Sequence, residues 1–195
     1  MASLVLSGDT SGSITVSAPA VAGSTTQTLV NVTGTLAPIV SGTAVTCAGQ
    51  TSIDFTGIPS WVKRITVMFS GVSTNGTSNL LIQIGSGSVS SSGYASTATA
   101  ATAVVNSTIG FAATCAIVAA DVSSGQIILS LIGSNTWTGS GILSRNATGG
   151  NAVNMSAGVS PSLSGVLDRV RITTVNGTDT FDTTPSAGTI NIIYE

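Results

Sequence analysis

Hydrophobic residues in this chain recur at every second position far more often than at helical spacing. The clearest run is Arg64-Ile65-Thr66-Val67-Met68-Phe69-Ser70. Ile65, Val67 and Phe69 fall on one face and Arg64, Thr66, Met68 and Ser70 on the other, which is the period of a half-buried strand. Ser52-Ile53-Asp54-Phe55 is a shorter run, stopped by Gly57-Ile58-Pro59, and Ala44 to Ala48 reads as a strand before it. Leu80-Leu81-Ile82-Gln83-Ile84-Gly85 follows the turn residues Asn75-Gly76-Thr77 and is expected to return as the antiparallel neighbour of the Arg64 run. Ile109 to Ala119 and Gly125 to Ile132 read as two further strands. The second is nearly continuous in apolar residues, so cover is expected on both of its faces. Val166 to Val175 and Thr189 to Tyr194 form the last pair.

Between these runs the chain is punctuated by Gly, Pro, Ser and Asn. Residues 1 to about 40 hold short alternating runs, Ser13 to Ser17 and Thr28 to Leu36 among them, and Pro38 closes the segment. It is expected to be an attachment or oligomerisation arm (1–40) ahead of a sandwich domain (41–195). Ser86 to Gly93 reads as an exposed loop and Asn135 to Ser160 as a long polar stretch. Thr97 to Val105 mixes Ala with Thr. The absence of a helix cap or a charged face favours strand or loop there over helix. Val170 to Thr174 with Asn176-Gly177-Thr178 echoes Lys63 to Val67 with Asn75-Gly76-Thr77, and reads as a second hairpin of similar chemistry. The pattern predicts an all-β fold: an antiparallel β-sandwich, jelly-roll-like, with a short N-terminal β arm.

Composition sharpens this. With 42 % hydrophobic residues the chain is no disordered Ser/Thr/Gly polymer. Charged residues are only 6 %, against roughly 25 % in an average domain, and the net charge is −2. That leaves no electrostatic ground for binding nucleic acid or an anionic membrane. Met1 to Val5 lacks the basic start of a signal peptide. Ile109 to Val122, the most apolar stretch, is shorter than the roughly 20 residues of a spanning helix, so no membrane insertion is expected. A mean hydropathy of +0.52 with no helices to cover apolar strands predicts a homo-oligomer.

Candidate chemistry is thin. The chain has no His, which removes Ser-His and Cys-His nucleophile pairs. Cys47 and Cys115 cannot make a zinc site by themselves, and in a reducing cytoplasm they read as buried free thiols rather than a disulfide. Lys63, the only lysine, sits beside Arg64 and reads as a solvated strand end. Asp179 and Asp182 are close enough in sequence for a glycosidase pair or a Ca²⁺ site, but Asp more often caps turns. Asp168, flanked by Arg169 and Arg171, reads as an ion pair at a strand edge. Six Asn-x-Ser/Thr triplets are what a Ser/Thr-rich composition produces by chance. No enzyme activity, cofactor or metal is expected. Phe55, Trp61, Phe69, Phe111 and Phe181 adjoin apolar runs and are assigned to the core. Trp137 and Tyr94 sit among Ser, Thr, Asn and Gly. With Asn135 and Arg145 they are the candidate exposed sugar-binding face, since an exposed aromatic ring among short polar side chains suits a glycan, and the competing reading is a Trp that anchors its own loop.

Three stretches carry a resemblance. Asp9 to Gly23, with Gly34-Thr35-Leu36, resembles a segment near the starts of phage tail-fibre and related proteins. Ile53-Asp54-Phe55-Thr56-Gly57-Ile58-Pro59-Ser60-Trp61-Val62-Lys63-Arg64 onward to Phe69 looks like a module of phage and prophage structural proteins. Asp168 to Thr173, with Gly188 to Glu195, is similar to the C-terminus of that module. The resemblance implies a bacteriophage virion protein, made in the host cytoplasm and joined to other tail or capsid proteins, and it favours a homotrimer. The expected role is a short tail-fibre or receptor-binding component that recognises a host surface glycan or protein. A capsid decoration or head-fibre protein is the alternative. The resemblance carries no site residues with it.

Overall fold

The computed structural model describes residues 3–7, 11–17, 37–101, 103–119, 121–146, 152–183 and 187–195. Among them there is no helix, and the fold is an all-β sandwich. The chain divides into two units, Met1–Leu36 and Ala37–Glu195. In the first, β1 (Ser3–Ser7) pairs antiparallel with β2 (Ser13–Ser17), and Val5, Leu6 and Val16 are exposed. The strand expected over Thr28 to Leu36 lies outside the described residues.

Among its described residues the second unit holds fourteen strands. They are β3 (Val40–Ser41), β4 (Val45–Thr46), β5 (Ser52–Thr56), β6 (Arg64–Val72), β7 (Leu80–Ser86), β8 (Ser88–Val89) and β9 (Ala95–Ala100). These are followed by β10 (Ala103–Ser107), β11 (Phe111–Ala112), β12 (Val122–Gly133), β13 (Thr136–Asn146), β14 (Ala152–Val159), β15 (Arg169–Thr174) and β16 (Thr189–Tyr194). One sheet runs β10-β9-β14-β13-β12-β6-β16-β3, with β4 also on β16. The other runs β11-β7-β15-β5, with β8 on β7. Every pairing is antiparallel.

The connectivity is that of a jelly roll. The strand broken into β3 and β4, then β16, β6 and β12, make one four-stranded half, and β5, β15, β7 and β11 make the other. Apart from β7 to β11, each step along these eight crosses from sheet to sheet. Two hairpins are inserted: β9–β10 between β7 and β11, and β13–β14 between β12 and β15. Both add to the β12 side of the larger sheet.

The β6 alternation works as its sequence dictates: Ile65, Val67 and Phe69 are buried, facing Ile53, Ile82 and Val170 of the other sheet in a single core. Two pairings expected from sequence are corrected. β7 is not the neighbour of β6 but lies in the opposite sheet beside β15, and β15 and β16 likewise belong to different sheets. The connection from Ser73 to Asn79 is too long to force a tight hairpin and instead crosses the sandwich end. The echoed turns therefore meet rather than sit in separate hairpins. Thr180 N donates to Asn75 Oδ1 at 2.9 Å, and Asn176 N donates to Ser78 Oγ at 2.9 Å. Asp179 joins them, accepting from Ser78 N at 3.0 Å and from Asn176 Nδ2 at 2.6 Å.

Ile109 to Ala119 is a strand only at Phe111–Ala112. Beyond it Ala113 to Cys115 stay buried without a ladder, because side chains of the inserted strands satisfy the backbone of the segment. Cys115 N donates to Asn154 Oδ1 at 2.8 Å, Ser156 Oγ donates to Ala112 O, and Ala112 N donates to Ser96 Oγ at 3.0 Å. This strap, with Ala112 and Cys115 against Ala98 and Ala100, covers the inner face of the inserted strands. The polar stretch Asn135 to Ser160 is mostly β13 and β14.

Cys47 and Cys115 are free and buried. Burial pushes the Cys47 thiol up to about 11, opposed by a backbone hydrogen bond at Ile190. At pH 7 Cys47 is a thiol and not a reactive thiolate. A maleimide is expected to label neither cysteine in the native protein within minutes, and both after unfolding in urea. Rapid native labelling read by mass spectrometry would contradict the buried placement.

Candidate functional site

The four residues picked from sequence do not form a face. Trp137 and Tyr94 are each only 2 % exposed, and both belong to the core, so the expected exposed surface is corrected. Trp137 opens β13 with its side chain turned inward, in phase with buried Gly139 and Leu143. Its backbone is clamped by Ser160: Trp137 N donates to Ser160 Oγ at 2.9 Å, and Ser160 N donates to Trp137 O at 2.8 Å. Tyr94 ties the Ser-rich loop to β7. Its hydroxyl accepts from Ile84 N at 2.9 Å and donates toward the carbonyls of Ser90 and Ile84. Its ring meets Phe111 edge-on at 5.2 Å, and burial pushes the phenol up to about 12.

Asn135 is a turn residue. Ser134 and Asn135 take φ of 47° and 59° in the two-residue β12–β13 hairpin, as a type I′ turn requires. Arg145 lies eight residues beyond Trp137 on the same strand, about 26 Å away at about 3.3 Å per residue. It turns inward toward Asp121, with Nε 3.6 Å from Oδ2, and donates to Ala116 O at the strap.

The acidic candidates hold structure. Asp182 Oδ2 accepts from Ser73 Oγ at 3.0 Å, while Asp179 locks the turn described above. No cluster of three metal-ligating side chains occurs among the described residues. Hydrogen bonding to Arg169 is the main cause holding the Asp168 carboxyl below its ordinary range. Asp168 also accepts from Gly87 N at 3.1 Å.

Two clefts open to solvent on either side of β5. One cleft, of about 260 Å³, sits where the broken β3–β4 edge and β5 flank the mouth of the sandwich. Thr43, Asp54 and Thr56 line it, above Phe55, Ile192 and Tyr194. Beside it Trp61, which the sequence assigned to the core, is 38 % exposed and packs on Tyr194 with ring centroids 5.9 Å apart. Trp61 is held outward by the turn in which Val62 N donates to Pro59 O at 3.1 Å. The second cleft, of about 240 Å³, lies on the outer face of the smaller sheet and is lined by Ser52, Gln83, Arg171, Thr173 and Asn176. Arg171 grips Asp54 through two parallel hydrogen bonds of 2.7 and 2.9 Å, so this pair is the divide between the clefts. An exposed indole, a phenol, hydroxyls and a fixed carboxylate are thus gathered at one edge. This is the kit sought at Trp137 and Tyr94, found elsewhere.

No protein-family model matches the chain, and neither does any curated protein or solved structure.

Proposed function

We propose that this chain is a non-enzymatic bacteriophage virion protein, a short tail-fibre or receptor-binding component that contacts a host surface glycan and assembles as a homotrimer. The observation that carries the recognition role is the Trp61–Tyr194 pair beside the cleft of Thr43, Asp54 and Thr56. A sugar ring has an apolar face for an indole and hydroxyls for a carboxylate and threonines. The phage-type stretches Asp9 to Gly23, Ile53 to Phe69 and Asp168 to Glu195 support the virion context.

The test has two arms. Trp61→Ala in the full chain is expected to lower binding to host cells or their isolated polysaccharide about tenfold or more, the loss typical of an aromatic anchor, with the fold unchanged by circular dichroism. Undiminished binding would remove the site. Cryo-electron microscopy of the virion is expected to place the chain on the tail. Density on the capsid instead would favour the decoration or head-fibre role.

A further inference from the structure

The two outer faces of the sandwich differ in charge. The smaller sheet carries Asp54, Arg169 and Arg171 outward, with Asp168 at its end. On the larger sheet, the outward positions of β9, β10, β12, β13 and β14 hold no charged residue. Arg64, paired with Glu195, sits only at the rim. Apolar side chains occupy that face instead: Val104 is 65 % exposed, Met155 58 %, Ile142 56 % and Val153 52 %.

They are not scattered. Val104 lies opposite Thr99, Thr99 opposite Met155, Met155 opposite Ile142, Ile142 opposite Gln126, and Gln126 opposite Met68. One unbroken row thus crosses six strands. The next row passes from Thr97 through Ala157 and Ser140 to Ile128 and Ile193, also without charge. Ile128 is the outward residue of the run whose sequence called for cover on both faces.

We infer that this face of the larger sheet is an interface between copies of the chain. Charge selects the occupant. A partner with charged groups here would bury them where nothing answers them, which is strongly unfavourable. A neutral, flat surface of the same strand pitch fits, and the chain's own face is one. Size agrees: seven strands about 4.8 Å apart, each about six residues long at about 3.3 Å per residue, cover roughly 700 Å² per copy, near the roughly 800 Å² per partner of a stable interface. Sheets packed face to face interdigitate at about 10 Å, which suits rows of Val, Ile and Met separated by Ser, Thr and Ala. The inference rests on this surface and not on host recognition; a face packed on its own copy makes a two-fold contact, separate from the threefold contact of the proposed homotrimer.

Light scattering on the purified full chain at micromolar concentration is expected to give a mass of two or more 19.1 kDa chains. The double variant Ile142→Lys with Met155→Lys is expected to lower that mass at least twofold, and Ser88→Lys on the smaller sheet to keep the wild-type mass. Because a variant can misfold, peroxide oxidation of wild-type Met155 supplies a second reading. Its rate is expected to fall at least tenfold from nanomolar to micromolar protein. A monomeric wild type would overturn both this interface and the homotrimer. An oligomer whose mass the double variant leaves unchanged, or a Met155 oxidised at the same rate at both concentrations, would overturn the interface alone. Neither result would touch the Trp61 cleft, which is read by glycan binding.

Discussion

Trp137→Ala is expected to lower the free energy of unfolding by about 3–5 kcal/mol, the range for deleting a large buried aromatic side chain. Trp137 is among the largest fully buried side chains and stands at the end of the sandwich where the β12–β13 hairpin turns. The Ser160 clamp holds its backbone on both N–H and C=O, so the strand cannot slide to fill the cavity. One feature works against the full cost: the buried indole Nε1 has no hydrogen-bond partner among the described residues. Removing it relieves a desolvation penalty of about 1–3 kcal/mol. Trp137→Phe, which keeps an aromatic ring and drops the N–H, is therefore expected to cost less than half as much as Trp137→Ala. Urea unfolding followed by far-ultraviolet circular dichroism measures both. A loss below about 1 kcal/mol for Trp137→Ala, of the size typical of surface sites, would put the side chain back on the surface. Trp61→Ala is the matched control, with little effect on stability.

The second large effect is expected at Gly125. This residue takes φ of 140°, and a Cβ built there would lie 2.3 Å from the carbonyl oxygen of Ile142 on the neighbouring strand. The register of β12 against β6 shifts between Ser123 and Gly125, and the Ser124 hydroxyl fills the gap by accepting from Gly71 N at 2.9 Å. Gly125 thus sits where a bulge reaims the strand at the join between the jelly roll and its inserted hairpins. Gly125→Ala adds backbone strain to a clash with a carbonyl that the ladder holds in place. The cost is expected at about 3 kcal/mol or more, which lowers Tm by roughly 6–12 °C in a domain of this size. Gly133, at φ of 150° but with no atom within 4 Å of where a Cβ would stand, isolates the strain. Gly133→Ala is expected to cost about 1–2 kcal/mol. Equal melting temperatures for the two variants would show that the close approach at Ile142 contributes nothing.

The candidate site was legible in kind but not in place. Trp137 and Trp61 have opposite contexts in sequence and opposite fates in the fold. Thr136 to Asn146 looks like a polar loop, yet Trp137, Gly139, Gly141 and Leu143 hold every second position, and that period decided the outcome over composition. Its Ser and Thr side chains face outward and the indole inward. Trp61 follows Gly57-Ile58-Pro59 in a turn, where no ladder fixes a side to point to, and the turn presents it outward beside Tyr194. Tyr194 lies 133 residues further along the chain, so their meeting had no local signal.

By itself the sequence determined the class of fold, because alternation with β-branched residues and turn residues leaves only sheet as a way to bury the apolar half. It also determined the inward side of β6, since a period of two admits one answer once Ile65, Val67 and Phe69 must be dry. Tertiary structure alone decided which strand pairs with which. Alternation is the same for a strand that turns back in a hairpin and for one that crosses to the facing sheet. β7 and β15 crossed, because the sandwich closes its core only when both sheets are fed in turn. Crossing is also what set β5 beside the β3–β4 edge, opened the cleft there, and left the uncharged face of the larger sheet bare. These features depend on contacts between residues far apart in the chain, which no local pattern of hydrophobicity encodes.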